Sequence, residues 1–253
     1  MPEHTTFLHY LLARLWLREN AENLGKSLAG HPVEYRGLEP FFMAALVMLF
    51  IVLLSAEVRS SFRRLKQATM PEETLTLRTF FEVFFGFFYD LAKETMGPKN
   101  AKRYFPIIGA SAIFIFISNS LALVPGFNPP TGNLNITAGC ALLVFLLFNY
   151  YGIKEHGWSY FKHLAGPNKY LAPLMVVVET ISLCVRPITL SIRLMLNMAV
   201  DHMLAAIFLG LFALFLPIPL FFLGIIVILV QTLVFCLLTT IYIGLATEKQ
   251  EGH

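Results

Sequence analysis

VVVETISLCVRPITLSIRLMLNMAVDHML, residues 176–204, holds Glu179, Arg186, Arg193, Asp201 and His202 in otherwise apolar surroundings. An ionised side chain at mid-membrane costs ~2.5–3.5 kcal/mol on insertion scales, so each of the five needs a partner, water or a task. The apolar block around them runs from 173 to 215 without an obvious polar break. As one α-helix it would be ~65 Å long, about twice the hydrocarbon thickness of a bilayer. It cannot stand upright as a single span. The next block, 217–247, would measure ~46 Å and is also too long for an upright crossing. The expected arrangement is an antiparallel hairpin over 171–247, with both helices steeply tilted or lying largely within the bilayer. It turns at LFLPIPL (214–220), where Pro217 and Pro219 stop the first helix. Two upright spans within the longer block are the alternative, although Pro187 near its middle is tolerable as a kink.

The five groups are ordered along the helix. With Arg193 at zero on a wheel of 100° per residue, Arg186 falls at ~20°, Glu179 and Asn197 at ~40°, Ser182 at about −20° and Asp201 at ~80°. The stripe reads acid, hydroxyl, base, base, amide, acid, a series able to hold water and pass a proton between sites. His202 falls near the opposite side, at ~180°, and must face another neighbour, such as the last helix or a separate aqueous pocket. On the last helix Gln231 stands within an apolar run. A buried amide in lipid must hydrogen-bond, and an antiparallel hairpin could bring it beside Arg193.

Outward from this segment the chain reads as an all-α membrane protein of upright spanning helices plus the long hairpin. Of 253 residues, 57% are hydrophobic and 14% charged, which excludes disordered, collagenous and disulfide-scaffold classes. Cys140, Cys184 and Cys236 lie in apolar stretches and read as small buried side chains. Residues 40–57 form a first span, 104–125 a second and 137–153 a third. The loop between the first two, 58–103, is rich in Lys and Arg, and the loop after the third carries Lys154, Lys162 and Lys169, whereas 126–136 has no charge. The positive-inside rule makes the first and last of these cytoplasmic, with an external N-terminus and a cytoplasmic C-terminus. The net charge of +3 is thus a topology signal, not a nucleic-acid footprint. The external segment 1–39 has an apolar patch at 7–17 that His9 and Arg14 interrupt. It fits a helix on the membrane surface better than a signal peptide. FFEVFFGFFYDL (80–91) is expected in the interface as part of the basic loop, too short and too charged to span.

Each candidate has a plainer reading beside the functional one. Glu179 and Arg186 could be a structural ion pair, Gln231 could be interhelical glue, and Asp201 with His202 could mark a helix portion dipping toward the external surface. Asn119 in the second span and Glu57 at the end of the first read as structural. His156 and His163 are loop residues without an acid or Cys at metal-ligand spacing, so no metal site is expected. No cofactor motif, phosphate-binding loop or nucleophile triad occurs, so the chain is not expected to bind or hydrolyse nucleotide.

RPITLSIRLMLNM (186–198), the acid and histidine after it, and VQTLVFCLLTTIYIGLA (230–246) together resemble subunit a of the F-type ATP synthase membrane sector. The likeness covers 104–246, and VPGFNPPTGNLN (124–135) is similar to the family's external loop. The resemblance implies that Arg193 is the family's essential arginine, with Asn197 and Gln231 as polar neighbours; Ser182, Arg186 and Asn119 are candidate supporting residues. It implies Glu179 on a cytoplasmic access path and His202 on an external one. Two departures stand out: Asp201 where a Gly is usual, and Gly224 where His or Glu is common. Asp201 would then take over the proton-binding role lost at Gly224. The implied partners are the c-ring, the peripheral-stalk b subunits, the lipid bilayer and protons, with sodium left open because the ion-binding carboxylate belongs to the ring. The implied location is a bacterial inner membrane, and 104–253 becomes the proton-conducting domain. A self-contained ion-coupled transporter or channel, and a purely structural membrane anchor, are the competing readings.

Overall fold

The structure is a computed structural model that describes residues 35–64, 77–123, 127, 129–156, 172–211 and 217–247. The surface helix expected at 7–17 lies outside them. The described residues form helices α1 (Tyr35–Arg64), α2 (Leu77–Ser120), α3 (Leu134–His156), α4 (Ala172–Leu211) and α5 (Pro217–Thr247), with short 3-10 turns at Leu121–Leu123 and Pro130–Gly132. No strand occurs among them. All five helices contain stretches long and apolar enough to cross a membrane. In lipid every backbone polar group must be satisfied within the element, and a helix does that unaided.

Among the described side chains of α1, Met43 and Val47, one turn apart, are buried, and Met48, Leu49, Val52 and Leu53 are more than half exposed. In water such a face would be costly; in a bilayer it is the lipid-facing side.

α2 is two helices joined at Gly97, whose φ of 79° and ψ of 161° break the helix. Only glycine takes that φ without steric cost, and Pro98 then forces its predecessor out of the helical region and opens the second half. The chain reverses there. Phe80 and Phe84 lie 6.1 and 5.2 Å from Phe116, and Phe85 and Tyr89 lie 6.2 and 5.2 Å from Phe105, ring centroid to centroid. Residues 77–96 therefore run antiparallel along 98–120. The stretch 80–91, expected in the interface, lies within the first of these halves. The apolar dozen is the middle of a longer amphipathic helix. Its Phe81, Phe88 and Ala92 are buried, while Glu82, Asp90, Lys93 and Glu94 stand exposed. Gly109 lets the two halves approach, since a Cβ there would meet Phe85 at 3.4 Å.

α3 begins at a turn in which the Asn133 side-chain oxygen accepts from the Asn135 backbone N–H at 3.0 Å. α4 runs unbroken through Pro187 over 40 residues, ~60 Å, so the longer block is one helix and not two upright spans. α5 opens at Pro217, where a missing N–H costs nothing. Phe88, Ala92, Ala101, Tyr104, Ile108 and Ala112 of α2 meet Phe148 of α3 and Cys236, Ile243 and Ala246 of α5 in one core. Small residues at this seam let backbones approach, as membrane helix packing requires. The hydroxyls of Thr232, Thr239, Thr240 and Thr247 on α5 donate to carbonyls one turn back, so none is left unpaired in the apolar core.

Candidate functional site

α4 has a buried face and an outer face. Leu190, Ser191, Leu194 and Met198 are buried; Leu190 and Leu194 pack on Ile115, Ala141, Val144 and Phe235. The Ser191 hydroxyl donates to the Thr137 hydroxyl of α3 at 3.3 Å within this buried seam. On the other side Ile181, Val185, Ile188, Ile192, Leu196 and Val200 are exposed at helical spacing. Arg193 projects on this outer face and is exposed. Among the described residues it has neither a hydrogen bond nor an ion pair with this chain. Ser182 is exposed on the same side.

Two further members of the stripe, Asn197 and Arg186, turn toward α5. Asn197, one turn beyond Arg193, donates through its amide nitrogen to the Gln231 side-chain oxygen, and Gln231 is 4% exposed. The hairpin thus brings Gln231 to Asn197, next to the arginine rather than onto it. Arg186 is half-buried with its guanidinium carbon 5.1 Å from the centre of the Tyr242 ring. These two pairs fix the register: eleven residues back along α4 match eleven forward along α5, so the helices are antiparallel. The same register sets Gly224 level with 202–204. The side chains of Glu179, Asp201 and His202 lie outside the described residues, although their backbones belong to α4.

Gly224 has a local reason. A Cβ there would lie 3.0 Å from the Leu123 Cδ2, so the turn after α2 occupies the space that a larger side chain would need. Asn119 is 2% exposed and accepts at 2.7 Å from the Thr131 hydroxyl, which ties the end of α2 to the turn before α3. The Thr131, Thr137 and Ser191 hydroxyls were missed in sequence, whereas Tyr242 was noted after Gln231 on the last helix without its partner Arg186. A polar side chain in an apolar run signals burial with a partner, but only the packing of distant helices shows which partner.

The sequence of 41–244 matches the family model described as ATP synthase A chain. The chain belongs to that family. It is 68% identical to ATP synthase subunit a of Sorangium cellulosum over the full length of both chains. It is 37% identical to ATP synthase subunit a of Sulfurihydrogenibium sp. over 81% of this chain and 97% of that one. ATP synthase subunit a 1 of Syntrophotalea carbinolica is 50% identical over 63% of this chain and 68% of that one. This member of the ATP synthase A chain family is accordingly a stator subunit of the enzyme's membrane sector and a multi-pass integral membrane protein. The matched range contains every residue of the α4 stripe and its α5 partners.

Proposed function

We propose that the outer face of α4 lies against a rotating ring of membrane subunits and exchanges protons with a carboxylate on each of them through two aqueous half-channels. The observation that carries this reading is the exposed Arg193 guanidinium on an apolar helix face. A cation with no partner among the described residues of its own chain is expensive in lipid, and in this reading its counter-charge comes from the ring. A lipid-facing carboxylate on the ring must be neutral to travel through the bilayer. Opposite Arg193 it is held ionised, because the guanidinium does not deprotonate and favours the charged acid. Arg193 therefore forces proton release and keeps the two half-channels apart.

In this reading Glu179, with Ser182 and Arg186, belongs to the cytoplasmic path. Asp201 and His202 belong to the external one. Gln231 holds Asn197 beside Arg193. Asp201 serves in place of the side chain absent at Gly224, where a Cβ would press on the Leu123 methyl at 3.0 Å. The ring is the c-ring of the same enzyme, and the b subunits of the peripheral stalk hold this chain against rotation. The chain itself supplies no nucleotide chemistry, and its membrane is the bacterial inner membrane with the N-terminus external. A self-contained transporter would instead turn its arginine into its own bundle.

Apposition is tested by thiol cross-linking in the assembled enzyme, in a background with Cys140, Cys184 and Cys236 replaced. Ile192→Cys and Leu196→Cys, which flank Arg193 on the outer face, are expected to cross-link to cysteines placed beside the ring carboxylate. Leu194→Cys, buried toward α3, is not. Equal reactivity of all three, or none at 192 and 196, would overturn the reading.

A further inference from the structure

Two arginines share the α4 stripe, two turns and ~10 Å apart along the axis and within ~20° around it. Their surroundings differ. Arg193 is exposed and without a partner in the described chain, whereas Arg186 lies over the face of Tyr242. Tyr242 is backed in turn by Phe148 of α3, 6.0 Å away, and belongs to the aromatic and aliphatic core around Tyr104. An arginine stacked on a tyrosine ring is attracted by the negative face of the ring, most strongly where water is scarce. Whatever else Arg186 touches, this stacking contributes a pull on its charge toward α5.

We propose that Tyr242 is a positioning residue that withholds Arg186 from the ring-facing side, so that a single guanidinium, Arg193, confronts each passing carboxylate. This rests on the reading of Arg193 given above. If Arg186 were released, a second permanent cation would stand beside the cytoplasmic path. Carboxylates loading protons from that side would then be held ionised to lower pH. A unit charge brought to ~10 Å at an effective dielectric of ~20 moves such a pKa by about one unit. Other ionisable groups lie at this end of the helices packed on α4. On α3 these are Tyr150, Tyr151, Lys154 and Glu155, of which Glu155 is held by Arg103 and Tyr104 and Lys154 lies over the Tyr150 ring. On α4 itself Glu179 and Arg193 share the stripe.

The test is ATP-driven proton pumping by the whole enzyme in inverted vesicles, followed against the pH on the cytoplasmic side. Tyr242→Phe keeps the ring face and is expected to retain the wild-type profile. Tyr242→Leu is expected to move the alkaline limb down by about one pH unit. The double variant Tyr242→Leu/Arg186→Gln should superimpose on Arg186→Gln alone, because no charge is left to release. A wild-type profile for Tyr242→Leu, or a shift that survives in the double variant, would overturn the proposal. Should Tyr242→Leu fail to assemble, Arg186→Lys carries the test. Its compact, mobile ammonium stacks less well and is expected to shift the profile in the same direction by less, and an unchanged profile overturns the proposal. The two levels of inference fail differently. Pumping that survives Arg193→Ala sinks the reading of the site, whereas pumping that needs Arg193 but ignores Tyr242 sinks only this inference.

Discussion

At the scale of single residues, the structure separates groups that the sequence could only place on one stripe. Arg193 and Asn197 are one turn apart, yet one faces out and the other hydrogen-bonds to Gln231. Gly224 shows how an absent side chain can be a packing requirement. Gly224→His would force a ring into the space of Leu123, whose Cδ2 lies 3.0 Å from the new Cβ. Overpacking of this kind costs about 1–3 kcal/mol. The detergent-purified complex of that variant is expected to melt at lower temperature than wild type, and Leu123→Ala is expected to restore it. Wild-type melting of Gly224→His alone would contradict the packing account. The stripe was legible because ionisable residues in apolar sequence are conspicuous and the helical period is fixed. The direction each member faces was not, since it depends on where α3 and α5 lie.

At the scale of elements, length arithmetic gave the two long helices, and the structure has them at Ala172–Leu211 and Pro217–Thr247. Physical limits made this legible, because a run of that length without a polar break has few ways to sit in a membrane. The first half of α2 was harder to read. Its charges line one side while Phe81, Phe88 and Ala92 face inward. The partner for that face comes only from the reversal at Gly97. Cysteines at Phe80 and Phe116, whose ring centroids are 6.1 Å apart, are expected to be bridged by a short bifunctional thiol reagent in native membranes. No bridging would mean that residues 77–96 leave the second half of α2 and lie elsewhere.

For the whole molecule, the account makes this chain one half of a machine whose other half turns. Among the described residues its outer face carries the arginine without a counter-charge, and on the proposed reading the path is completed only by the ring. Purified by itself into vesicles it is expected to be silent to an imposed proton gradient, while the assembled membrane sector conducts. Conduction by the isolated chain would favour a self-contained transporter. The central claim is that the fixed charge of Arg193 unloads the ring carboxylates, and it is tested most directly by ATP-driven acidification of inverted vesicles carrying assembled Arg193→Ala enzyme. The account predicts that acidification is abolished while the complex remains intact, and normal acidification by that variant would contradict it.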